Sequence, residues 1–144
     1  MTRLSPHFTL EEMVASQTAA RLGLDNTPPR EMMATLKRTA QLLEEVRTLL
    51  GGRPVLVSSG YRSPAVNRAV GGAQNSAHML GCAADFSCPS FGPPLEICRT
   101  IARSAIAFDQ VIHEFRAWVH IAWAPSPRRM VLTIDAAGTR LGLS

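Results

Sequence analysis

The hydrophobic positions of this chain fall into two rhythms. Between Met33 and Leu50 they recur at three- and four-residue spacing, at Met33, Leu36, Ala40, Leu43, Val46 and Leu50. That spacing lines one face of an α-helix, and Gly51-Gly52 stops it. A second long helix is expected over Pro93–Phe108, with a proline near its first turn. Leu95, Cys98, Ile101, Ala102 and Ala105 would form its apolar face. Thr9–Glu12, TLEE, has the form of a capping box and opens a helix expected to run to about Arg21 and end at Gly23. Leu24–Pro29, LDNTPP, reads as a turn or linker, and Pro64–Val70 as a short helix ended by Gly71-Gly72. The second rhythm is that of strands, expected at Val55–Ser58, Ala83–Ser87, Gln110–Glu114, Trp118–Trp123 and Met130–Ile134. Helices come first and most strands come late. The class is therefore α+β, a small antiparallel sheet with helices packed on one side.

Composition narrows the picture only a little. A chain of 144 residues predicts a single domain, 1–144. Hydrophobic residues at 46% and charged residues at 18% exclude a disordered tail protein. The net charge of +4 is scattered, with no basic run interleaved with aromatics, so no nucleic-acid partner is expected. No apolar run is long enough to span a membrane, and a monomer is expected. The three cysteines, Cys82, Cys88 and Cys98, form no CxxC pair and are odd in number. Free thiols from a reducing compartment are the simplest reading. No basic–apolar–small leader pattern opens the sequence. The expectation is a chain made in the cytoplasm; if it acts outside, at an envelope such as the cell wall or periplasm, something other than a classical signal must release it.

The chemistry concentrates in Ser58–Phe86, SSGYRSPAVNRAVGGAQNSAHMLGCAADF, where His78 and Asp85 sit among small residues. Seven positions separate them. A continuous helix would hold them ~10.5 Å apart and a continuous strand ~23 Å apart. Ligands lie only ~2.0–2.2 Å from a zinc ion, so the chain must turn back between them if they are to share one. Gly81 permits that turn. Beyond it, Asp85 and Ala83 would share one face of a strand. By themselves a His and an Asp in such a setting are more often hydrogen-bonded structural residues than ligands.

A third ligand is available in WVHIAW, where Trp118, His120 and Ala122 share a strand face. His7 has no polar constellation around it. Two imidazoles and a carboxylate with one open position form a plausible catalytic zinc set. A general base is also required, and His113 and Glu114 lie just upstream. A three-residue loop at Phe115–Ala117 would pair Glu114 with Trp118, on the His120 face. A two-residue loop, Arg116-Ala117, would pair His113 with His120 instead. The sequence leaves both open. Tyr61, the Met32-Met33 pair and Cys82 read most simply as packing residues. Arg62 fits a turn ion pair as well as a substrate contact.

These blocks carry a resemblance. Ser76–Asp85, SAHMLGCAAD, is similar to the S-x-H-x-x-G-x-A-x-D signature of the zinc D-Ala-D-Ala peptidases, family M15. SSGYRS at Ser58–Ser63, WVH at Trp118–His120, FTLEEM and LGLDNTP are similar too, chiefly to the M15A C-terminal-like branch of phages and prophages. The resemblance implies a hedgehog/D-Ala-D-Ala peptidase-like fold. It implies an endolysin-type metallopeptidase, a carboxypeptidase or endopeptidase, that cuts peptidoglycan stem peptides. It implies Zn2+ held by His78, Asp85 and His120, with Glu114 as the general base. It implies that Arg62 binds the substrate carboxylate or polarises its carbonyl and that Ser76 hydrogen-bonds the peptide; Trp118, a core aromatic or a wall of the substrate cleft on the residues alone, is carried as a substrate-site candidate. Better-known members place the catalytic Glu three residues before the last His, where this chain has Ala117; Glu114 is six before. That departure motivates a second expectation, a non-catalytic wall-binding or phage structural module on the same fold.

Overall fold

A computed structural model describes residues 1–144. Two short strands open the chain, β1 (Arg3–Ser5) and β2 (Phe8–Thr9), followed by helices α1 (Leu10–Val14) and α2 (Gln17–Leu22). A 3-10 turn at Arg30–Met32 leads into the long helix α3 (Met33–Leu49). Then come β3 (Leu56–Ser59), α4 (Pro64–Ala69), β4 (Ala83–Ser87) and α5 (Pro94–Ala102). The chain closes with β5 (Gln110–Glu114), β6 (Trp118–Ala122), β7 (Met130–Asp135) and β8 (Gly138–Leu141). Six strands form one sheet in the order β3-β4-β6-β5-β7-β8. Every pair in it is antiparallel except β5 with β7, which is parallel.

The expected α+β class holds, and the sheet uses its two faces differently. One face carries Ala84, Phe86, Val111, Val119 and Ile121, all fully buried in the main hydrophobic cluster. Leu36, Ala40, Leu43 and Val46 of α3, and Ile97, Cys98 and Ile101 of α5, close over it. Alternation along the strands turns Ala83, Asp85, Glu114, Trp118, His120 and Ala122 to the opposite face. One face thus makes the core and the other is left for chemistry.

Two helix expectations need correction. The first helix is two, broken at Ala15, whose backbone is extended. The break frees carbonyls that other segments use. Met13 O accepts from the Tyr61 N–H at 2.7 Å, and Val14 O accepts from Asn26 Nδ2 at 2.8 Å. Ser16 then caps α2 through the Ala19 N–H. The second long helix stops at Ala102, well short of Phe108, and Ala105 is exposed. Arg129 supplies the stop from a distance: its guanidinium donates to the carbonyls of Ala102, Ser104 and Ile106. Cations favour a helix C-terminus for this reason. No local glycine marked that end. β1, β2 and β8 were not expected; β8 is exposed along its whole length and carries no alternation to read.

Candidate metal centre

His78 arrives on a tight turn rather than on a regular element. Ser76 Oγ accepts from the His78 N–H at 3.2 Å, and the Gly81 N–H closes on His78 O at 3.2 Å. Gly81 has φ +77°, the left-handed conformation that the reversal between the ligands required. A side chain there would also press on Met32 at 3.1 Å. Helix α3 anchors the turn: Thr39, fully buried, donates to Gly81 O at 2.5 Å and accepts from Trp123 Nε1 at 2.8 Å.

Asp85 sits in β4 with His120 directly across on β6. Asp85 Oδ1 lies 3.1 Å from His78 Nε2 and 2.9 Å from His120 Nδ1. The three side chains are 2%, 5% and 7% exposed, for His78, Asp85 and His120 in turn, so water does not satisfy them. Tetrahedral zinc with ~2.0–2.1 Å bonds would separate its ligand atoms by ~3.3 Å. The His–Asp spacings are close to that, and all three donor atoms fall within 4.8 Å of one another. The proton inventory points the same way. His78 Nδ1 is 2.7 Å from Gly60 O, a carbonyl that can only accept. Nδ1 therefore holds the ring proton, and in the neutral ring the Nε2 lone pair faces the Asp85 carboxylate. Two facing acceptors call for a cation between them, and anchoring the remote nitrogen to a carbonyl is how metal-binding histidines are oriented. Burial works to raise the Asp85 pKa. The His120 and His78 imidazoles beside it outweigh that and hold the carboxyl well below its usual range.

Glu114 pairs with Trp118 and Ile112 with His120, so the β5–β6 loop is the three-residue one. Glu114 Oε1 comes to 3.7 Å from His120 Nδ1. His113 falls on the opposite face, buried, with Nδ1 3.1 Å from Ser144 O. The loop that sets this register has Phe115 at φ +53° and Arg116 at φ +58°. Burial first, and the Asp85 charge second, push the Glu114 carboxyl above its ordinary pKa, with His120 and Arg62 opposing. A cleft of about 970 Å³ opens over this face. Asp85, Glu114, Arg62 and Trp118 line it, with Tyr61, Phe115 and the Ala15–Thr18 segment around them.

The family model described as Peptidase M15 matches residues 6–122, a span that holds both strands of the hairpin and all three clustered side chains. The chain belongs to the Peptidase M15 family. It is also 46% identical over 50 residues to the zinc D-Ala-D-Ala carboxypeptidase of Streptomyces albus G. That stretch is 35% of this chain and 20% of the relative's length.

The remaining expected site residues of this M15 chain are placed as follows. Arg62 reaches the cleft and stands 3.5 Å from Asp85 Oδ2. Ser76 is half-buried, its oxygen engaged by the His78 turn. Trp118 lies against Phe115, ring centroids 5.6 Å apart. His7 is away from the centre, paired with Glu44 at 2.7 Å. All three cysteines are free. Sequence reasoning passed over Gly60, Ser59, Asn67 and Thr39. The first anchors His78, the next two hold Arg62, and the last holds the Gly81 turn. Only the partner makes each one functional, and the partners are up to 42 positions away in the chain.

Proposed function

We propose that this M15 peptidase is a zinc-dependent hydrolase of peptidoglycan stem peptides, cutting bonds that involve D-amino acids as a carboxypeptidase or endopeptidase. The observation that carries the reading is the Glu114 carboxylate on the same sheet face as Asp85 and His120, 3.7 Å from the latter, at the floor of an open cleft. His78, Asp85 and His120 would hold the ion, a nitrogen–oxygen set without thiolate. When bound, zinc supplies Lewis-acid polarisation of the scissile carbonyl and lowers the pKa of a water.

Glu114 is the general base. Its raised pKa brings it toward the working pH, so it can take a proton from the attacking water and return it to the leaving amine. Arg62 offers its guanidinium to the substrate carboxylate or carbonyl. Trp118 walls the site. Ser76 spends its lone pair on the His78 N–H, and its hydroxyl proton remains for the peptide. In this reading residues 1–144 form one catalytic unit, active as a monomer at the cell wall or periplasm, as an endolysin-type enzyme would be.

Mass spectrometry of isolated peptidoglycan treated with zinc-loaded protein tests it. Trimmed or cleaved stem peptides are expected, and a chelator should abolish them. Hydrolysis indifferent to the chelator contradicts the proposal. Wall binding with no released peptide would favour the non-catalytic module instead.

A further inference from the structure

Arg62 is held by an unusual set of partners. Its Nε donates to Ser59 Oγ at 3.2 Å and its Nη1 to Asn67 Oδ1 at 3.1 Å. Both of these acceptors are neutral and fix the guanidinium plane, while Nη2 stands 3.5 Å from the Asp85 carboxylate at the site's edge. Asn67 is only 3% exposed and its amide is oriented in turn, because Nδ2 donates to Ala73 O at 2.9 Å. The amide oxygen therefore has Arg62 as its partner and no access to solvent. Gly72 closes the arrangement: a Cβ there would lie 2.1 Å from Asn67 Oδ1 and 2.8 Å from Arg62 Nη1. Gly72 has no positive φ, so its backbone does not require glycine; the space over the amide–guanidinium contact does. Gly71, Gly72 and Arg62 all line the cleft, whereas Asn67 lies beneath it.

We infer that Asn67, with Gly72 packed on it, is a positioning residue that aims the Arg62 guanidinium at an anionic group of the substrate, the free carboxylate at a peptide C-terminus. The inference rests on the peptidase reading for its substrate. Its geometric part stands apart from it. Asn67 lies in α4 and the close-packed Gly72 just after it. This short element, which supplies none of the three clustered side chains, then serves to aim one cation.

The test uses zinc-loaded wild type, Asn67→Ala, Asn67→Asp and Gly72→Ala. The probes are an N-acylated peptide ending in D-Ala-D-Ala and the same peptide amidated at its C-terminus. Two readouts are followed: steady-state kinetics, and the Arg62 Nη1–H resonance by NMR. For the free carboxylate, Asn67→Ala and Gly72→Ala should raise KM about tenfold, the usual scale for a hydrogen bond to a charged group. kcat and zinc content should stay within about twofold. Asn67→Asp keeps an acceptor beside Arg62 but adds a charge, and should raise KM further. The amidated peptide should show little change in any variant. The Arg62 Nη1–H, expected to be distinct and slowly exchanging in the wild type, should move to the position of a free arginine in Asn67→Ala and Gly72→Ala. An unchanged resonance with unchanged KM overturns the inference. So does a KM rise equal for both peptides. If the wild type cleaves neither peptide while the resonance still collapses in Asn67→Ala, the peptidase reading fails and the positioning role stands. Should Asn67→Ala not fold, Gly72→Ala and Asn67→Asp decide by the same criteria.

Discussion

Asp85 shares one oxygen between two imidazoles, and its second oxygen faces Arg62. The two imidazoles beside that carboxylate outweigh the cost of its burial, which is why its ionised form persists. Glu114, nearby, has the opposite balance, and in the proposed reading the two carboxylates do different work: Asp85 stays charged to bind and Glu114 exchanges protons. Glu114→Gln should lower kcat about 10²–10⁴-fold with zinc stoichiometry intact, measured by steady-state kinetics beside metal analysis. Zinc loss in that variant would mean that Glu114 is a ligand rather than a base. Gly60 matters through its carbonyl. A Cβ at Gly60 would collide with Met13 O at 2.3 Å, so Gly60→Ala must move the acceptor of His78 Nδ1. Zinc affinity, read by competition with a chelating dye, should weaken about 10–100-fold. The His78–Asp85–His120 grouping was legible through the ordered motif blocks, while the His–Gly–Asp spacing by itself showed only that a turn was needed for the first two to meet. Gly60 was not, since nothing local shows that a carbonyl eighteen positions before His78 is its partner.

At the scale of elements, the β5–β6 hairpin decides the chemistry. A shift of one residue in its loop exchanges Glu114 for His113 on the site face. Phe115 and Arg116 both adopt positive φ, which costs roughly 1–2 kcal/mol for each L-residue with a side chain. Asn-Gly is the pair such a turn favours. Replacing Phe115-Arg116 by Asn-Gly should therefore raise Tm by a few degrees in a calorimetric scan, while substrate KM rises as the half-exposed ring at the cleft rim is lost. A lower Tm would show that Phe115 packing on Trp118 outweighs the strain. The sequence carried the strands and their faces, and His120 with Trp118 and Ala122 stand together as the alternation required. It could not carry the loop parity. Neither Phe nor Arg advertises a left-handed turn, and strain of this kind is held by the surrounding sheet. Helix ends failed for a related reason: Arg129 ends α5 from across the fold.

For the molecule as a whole, the sheet separates stability from function, with its core on one face and the clustered ligands on the other. Leu43, fully buried on α3, is far from the cleft, and Leu43→Ala should cost about 2–5 kcal/mol with little effect on zinc affinity. The loop from β6 to β7 is fastened at its far end by a two-pronged pair. Arg128 Nε and Nη2 donate to Asp109 at 2.9 and 2.8 Å. Those bonds, against a smaller opposing effect of burial, hold the Asp109 pKa below its usual value. The folded state thus binds a proton less readily than the unfolded chain. The stabilisation is full above the unfolded pKa of ~3.9 and is lost as pH falls through the folded value. The Tm difference between wild type and Asp109→Asn should be largest near neutral pH and close progressively below about pH 3.9. A difference independent of pH would assign the loss to packing. The central claim is the ligand set itself, and zinc K-edge absorption on the loaded protein tests it most directly. Two imidazole nitrogens and a carboxylate oxygen at about 2.0–2.2 Å, with the imidazole signal halved or the metal lost in His78→Ala, is the result the account predicts. A sulfur neighbour at about 2.3 Å, or an unchanged spectrum in His78→Ala, would contradict it.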